Sequence, residues 1–166
     1  MNTLHGLALT ALMLVGGVPG ALSAQGRAAD ADEREIAAYR LSEGTLAKFI
    51  RASRAMAALQ KPAPSETAED DESGDDNTSI ADIAAMYDTI PPARRAITGA
   101  GLTTREYVVF TFALFQAGMG AFLVEQAGWD KLPPEIAREN VLFYQRHKAQ
   151  MDSVTAELKK AEREAP

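Results

Sequence analysis

The stretch Thr103–Gly128, TTREYVVFTFALFQAGMGAFLVEQAG, decides the fold of this chain. Thr103 and Glu106 stand at capping-box spacing, and Leu102 and Tyr107 form a hydrophobic staple around them, so a helix opens at Thr104. Gly128 stops it after Ala127. Between these ends, Tyr107–Val124 carries no charge for 18 residues. A helix apolar on every face is either fully buried or in lipid, and 18 residues is the low edge for a span. Thr111, Gln116, Gly118 and Gly120 dilute the run. No Trp flanks it closely at both ends, and no Lys or Arg cluster follows it directly. Ala113, Ala117 and Ala121 make a ridge of small residues that admits a second helix at close range. The reading favoured is a buried core helix of a soluble protein, with a membrane span through Tyr107–Val124 as the alternative.

The flanking segments are amphipathic and need such a core. Ser42 caps a helix whose staple is Leu41 and Leu46, with Leu46, Phe49, Ile50, Ser53, Met56 and Ala57 at helical spacing. Pro62 and Pro64 end it near Gln60. A short helix over Asp30–Arg40 is also expected. Ser79 and Asp82 form another capping box, opening a helix with Ile80, Ile83, Tyr87 and Ile90 on one face. Pro91-Pro92 interrupts, and a short helix runs from Pro92 to Thr98, ended by Gly99 and Gly101. Asp130–Pro134 reads as a turn. A last helix begins at Pro134 or Arg138 and runs to about Arg163. Its stripe of Tyr144, His147, Met151, Val154, Leu158 and Ala161 suits packing on another helix. The expected fold is all-α: a bundle of four to five helices, with Leu46–Leu59, Ile80–Ile90 and Val141–Ala161 surrounding Thr104–Ala127.

The chain has 166 residues, a net charge of −6, two His and no Cys. Absent Cys excludes disulfides, thiolate metal sites, a Cys nucleophile and covalently attached c-type haem. Residues 61–78 read KPAPSETAEDDESGDDNT and hold seven acids but no large apolar side chain. Such a segment cannot bury enough surface to offset ordering, so an acidic disordered loop is expected. Taking those seven from the 23 acids leaves 16 against 17 Lys and Arg, so the acidity is local. The basic pairs Arg94-Arg95 and Lys159-Lys160 lack interleaved aromatics, and no nucleic-acid partner is expected.

Residues 1–24 contain no Lys, Arg, Asp or Glu. An apolar run over Leu7–Val15 is followed by Gly16-Gly17-Val18-Pro19-Gly20 and then by small residues around Ser23. That order is a signal peptide with cleavage after Ser23, leaving residues 24–166 as a single domain in the periplasm or outside the cell. A retained N-terminal anchor is the alternative, although nine apolar residues are short for a span.

The segments GLTTREYVVFTFALFQAGMG and ENVLFYQRHKAQM resemble a group of small exported bacterial proteins that are predicted to be all-helical and have no assigned function. The resemblance covers the second half of the mature chain, with a looser match over Leu41–Leu59. It implies export and a soluble helical fold, and no reaction, ligand or catalytic residue.

No catalytic constellation can be assembled. There is no Gly-x-Ser-x-Gly elbow, Walker loop or GxGxxG. His147 is the one His left after cleavage, too few with no Cys for a conventional zinc site. It could ligate haem with Met56, Met86 or Met119, but a packing His on the stripe is the simpler reading. A di-metal bundle needs Glu-x-x-His on two helices, and the motif is absent. Glu106 and Glu125 sit at opposite ends of one helix, roughly 28 Å apart. Aligned on Gly74, the acidic run offers Ile80 where an EF-hand needs its bidentate Glu, so no calcium loop forms. Trp129 either closes the end of the core or contacts a partner. The leading expectation is a non-catalytic exported protein that binds a protein partner or an apolar ligand in the cell envelope, with no cofactor. Haem binding through His147 and a membrane-associated accessory subunit are the alternatives.

Overall fold

The structure is a computed structural model that describes residues 19–59 and 78–164, with side chains described for 29–59 and 78–160. It is all-α, with no strand among the described residues. In order come α1 (Pro19–Ala38), α2 (Glu43–Ala57), α3 (Ile80–Thr89), α4 (Pro91–Gly99), α5 (Thr104–Ala127), a 3-10 turn (Trp129–Lys131) and α6 (Arg138–Glu164). The acidic segment lies outside the described residues except for Thr78, as does the signal-peptide reading over residues 1–18.

The caps behave as their spacing requires. Ser42 accepts from the Thr45 amide at 3.2 Å, and Leu41 and Leu46 are both buried beneath it. Thr103 accepts from the Glu106 amide at 3.0 Å, and the Glu106 carboxylate accepts from the Thr103 amide at 2.8 Å. Ser79 and Asp82 make the same reciprocal pair at 3.1 and 3.2 Å. Pro91 and Pro92 occupy the first turn of α4, where their missing amide hydrogens cost nothing. Gly101 follows α4 at φ +87°, in the left-handed region glycine tolerates.

These hydrogen bonds hold both N3 carboxyls below the ordinary carboxylate range. For Glu106 the bonds from Thr103 dominate, helped by Lys48; for Asp82 it is Ser79. A carboxyl depressed in the folded state adds stability above its unfolded pKa, near 4, and loses it as pH falls through the folded value. The urea midpoint should therefore fall on acidification below about pH 4. Glu106→Gln keeps an acceptor but cannot titrate, so its midpoint should fall less. The difference, at this exposed and solvent-screened site, should be about 0.5 kcal/mol.

The first half of α5 is enclosed by an aromatic chain. Phe110 is fully buried, its ring 4.7 Å from Phe49 of α2 and edge-on to Tyr39 at 6.3 Å. Phe49 stacks on Tyr107 at 5.1 Å, and Tyr107 meets Tyr87 of α3 edge-on at 5.7 Å. Offset and edge-on pairs add to what burial alone contributes. Val108 and Val109 pack against Ile80 and Ala84 of α3, while α4 seats Ile97 against Ala52 of α2.

α6 runs antiparallel to α5 and parallel to α2. Gly120 lies by Val141 and Gly118 by Tyr144, whereas Glu43 approaches His147 and Arg54 pairs with Glu157 at 2.6 Å. The start of α6 is fastened by Asn140, which is buried. Its side-chain oxygen accepts from the Leu41 amide at 3.0 Å, and its nitrogen donates to the Tyr39 carbonyl at 2.9 Å. α1, described over Pro19–Ala38, is longer than the short helix expected over Asp30–Arg40. Its described contacts come from Asp32, which accepts from the Ile80 amide at 2.7 Å, from Ile36, and from Glu35, which holds Arg105. All lie downstream of the cleavage expected after Ser23.

Two glycines make a matched pair of expectations. A Cβ at Gly120 would lie 2.8 Å from Val141, 2.9 Å from Ile136 and 3.1 Å from Leu132. Replacing a helical glycine by alanine normally stabilises by about 0.5–1 kcal/mol. Here overpacking, about 1–3 kcal/mol, outweighs that, and Gly120→Ala should lower the urea midpoint. Gly44, in the first turn of α2, has nothing within 4 Å of its Cβ position, and Gly44→Ala should raise it.

Candidate binding groove

The expectation of a fully surrounded central helix holds for only part of α5. The ridge of Ala113, Ala117 and Ala121 is buried, as are Val108, Val109, Phe110 and Gly120. The opposite face is bare from Phe112 to Leu123. Phe115 is 65% exposed and Phe122 61%, with Met119, Phe112 and Leu123 also open. The cause is the arrangement of partners. α1, α2, α3 and α4 gather on the first half of α5, and α6 with the turn before it covers one side of the second half.

Between the bare face and α6 lies an apolar groove of about 790 Å3. From α5 it takes Leu114, Phe115, Gly118, Met119, Phe122 and Leu123; from α6, Tyr144 and Met151, with Asp152 and Thr155 at the polar end. Thr111 to Leu123 spans roughly 18 Å along the helix axis. Gly118 sets the floor: a Cβ there would sit 3.0 Å from the Tyr144 ring. The Thr111 hydroxyl donates to the Tyr107 carbonyl at 2.8 Å and is thereby spent on its own helix. Asp152 accepts from Lys148 at 2.6 Å, and that partner pushes the Lys148 ammonium above its ordinary range. The groove is mainly a surface for apolar contact.

The exposed stripe of Phe112, Phe115, Met119, Phe122 and Leu123 amounts to roughly 490 Å2, taking about 200 Å2 for a large side chain. That is within the range, about 300–600 Å2, where the largest patch on a monomer is often functional. α5 is also the one described helix long and apolar enough to cross a membrane, with mean hydropathy 1.8.

His147 is placed elsewhere. Its ring lies against Phe143, centroids 4.3 Å apart, and its Nε2 is 3.8 Å from the Glu43 carboxylate. It does not line the groove, whereas Met119 does. Met56 packs beside Ala52 and Ile97, and Met86 is half exposed on α3, so the structure does not gather a His–Met pair around the groove. Trp129 sits at the far end of α5, packed on the cluster of Ala121, Ile136 and Val141, with the Arg138 guanidinium 4.4 Å above its ring. The small-residue ridge of Ala113, Ala117 and Ala121 is buried, packed with Phe143 and Val141 of α6. Among the described residues no group of three or more His, Asp or Glu converges. The bare stripe was not singled out from sequence, although its 3-4-3 spacing was there to read.

No family model, curated protein or solved structure matches the chain.

Proposed function

We propose that this is a non-catalytic exported protein of the cell envelope that binds a protein partner or an apolar ligand on the open face of α5. The observation that carries the reading is the groove along Phe115, Met119 and Phe122, mostly apolar and open to solvent. The N-terminal pattern of Leu7–Val15 followed by small residues at Ser23 supports export, as does the resemblance to small exported helical proteins. Nile red, a neutral apolar dye, tests the groove. Dilute folded protein should raise its emission saturably, and Phe122→Lys should abolish the rise while leaving the helical signal unchanged. Equal emission with wild type and Phe122→Lys would contradict the reading.

The same bare face, with the hydropathy of α5, favours a second reading: a membrane-associated accessory subunit held through Tyr107–Val124. Recovery of the mature protein from the envelope without detergent would reject it.

A further inference from the structure

We infer that the open face of α5 docks a second copy of this chain, with the two α5 helices antiparallel about a two-fold axis. The inference rests on reading that face as a binding surface, and it names the partner. Phe112, Phe115, Met119 and Phe122 are spaced 3-4-3, the pattern of a coiled-coil seam. A two-fold axis beside Ala117 sets Phe112 of one copy against Phe122 of the other, and Phe115 against Met119. Every large side chain of the seam then meets a large one, in four layers, and none meets a gap. A seam that did not match itself would leave an unfilled layer at one end.

Charge points the same way. In a two-fold contact each ionic group near the axis faces its own sign, which is costly at close range. Tyr107–Val124 has no charge at all, so the α5 seam itself carries no such repulsion, and Asp152 at the polar end of the groove is paired with Lys148. The area is adequate. Two stripes of roughly 490 Å2 each, with the groove walls Tyr144, Met151, Asp152 and Thr155 flanking them, supply the ~1,000 Å2 that a specific interface needs. α6 lies beside α5 in each copy, so the dimer closes as a four-helix layer in which each α5 roofs the groove of the other.

Sedimentation equilibrium and cysteine crosslinking test this on the mature chain. The wild type should sediment at twice the mass of one chain at high micromolar concentration. Phe115→Lys, at a position open in the single chain and so tolerated by the fold, should weaken association at least about 30-fold. The chain has no Cys of its own, so introduced thiols report cleanly. Phe115→Cys mixed with Met119→Cys should form a disulfide-linked pair under mild oxidation. Phe112→Cys mixed with Met119→Cys should not. A wild type that stays monomeric overturns the inference, as does a dimer indifferent to Phe115→Lys or one crosslinked by the mismatched pair. If the monomer still binds Nile red in a Phe122-dependent way, the α5 face remains a binding surface for another occupant. If it binds none, both readings fall.

Discussion

Phe110→Ala is expected to lower the unfolding free energy by about 4 kcal/mol, whereas Phe115→Ala on the same helix should change it by less than about 0.5 kcal/mol. The residues are chemically identical and share one apolar run, so the contrast isolates environment. Phe110 is fully enclosed, with Phe49 and Tyr39 against its ring and Leu46, Ile50 and Phe143 in the same cluster. Truncation there removes the burial of a whole ring and opens a cavity among helices held by several other contacts. Phe115 is 65% exposed, and shortening it removes little contact from a single chain. Urea unfolding of both variants in dilute protein, with equal m-values, measures the difference. Similar losses at the two positions would mean that both faces of α5 are buried.

Asn140→Ala is expected to cost about 2 kcal/mol, more than a typical polar substitution near a helix start. Asn140 is 4% exposed and answers two backbone groups on the α1–α2 connection, the Leu41 amide and the Tyr39 carbonyl. Alanine orphans the Leu41 amide in a place water reaches poorly, at about 1–3 kcal/mol, and takes from the Tyr39 carbonyl one of two donors, the Arg40 guanidinium remaining at 3.1 Å. Leu41 is also the staple residue of α2, so the same change loosens how α2 enters the core. Gln145→Ala, at an exposed position on the same helix, is the control and should shift the urea midpoint by less than about 0.5 kcal/mol. A small effect at Asn140 would mean that water replaces both bonds.

What the sequence discloses and what it hides divide along contact range. The ends of α5 read directly from Thr103, Glu106 and Gly128, because capping is settled within three or four residues. Ser42 and Ser79 read in the same way. Asn140 gave no such signal: a lone Asn near a helix start is ordinary, and its partners stand about a hundred residues away. Asp32 is similar, capping the Ile80 amide from α1. The groove was hidden by a different cause. Tyr107–Val124 is apolar on every face, so its periodicity cannot say which face is covered. That depends on how many neighbours the rest of the chain can supply. Four segments crowd the first half of α5, and the second half receives α6 and a turn on one side. The roles of Gly118 and Gly120 were equally out of reach. They looked like dilution of an apolar run, and they are where Tyr144 and Val141 of α6 lie against the α5 backbone.

Native mass spectrometry of the protein taken from the exported fraction tests the central claim, that the open face of α5 is a binding surface. The account predicts a chain beginning at Ala24 that carries added mass, either a second copy or an apolar ligand, and that loses it in Phe115→Lys. A bare monomer that stays bare at high protein concentration would contradict it.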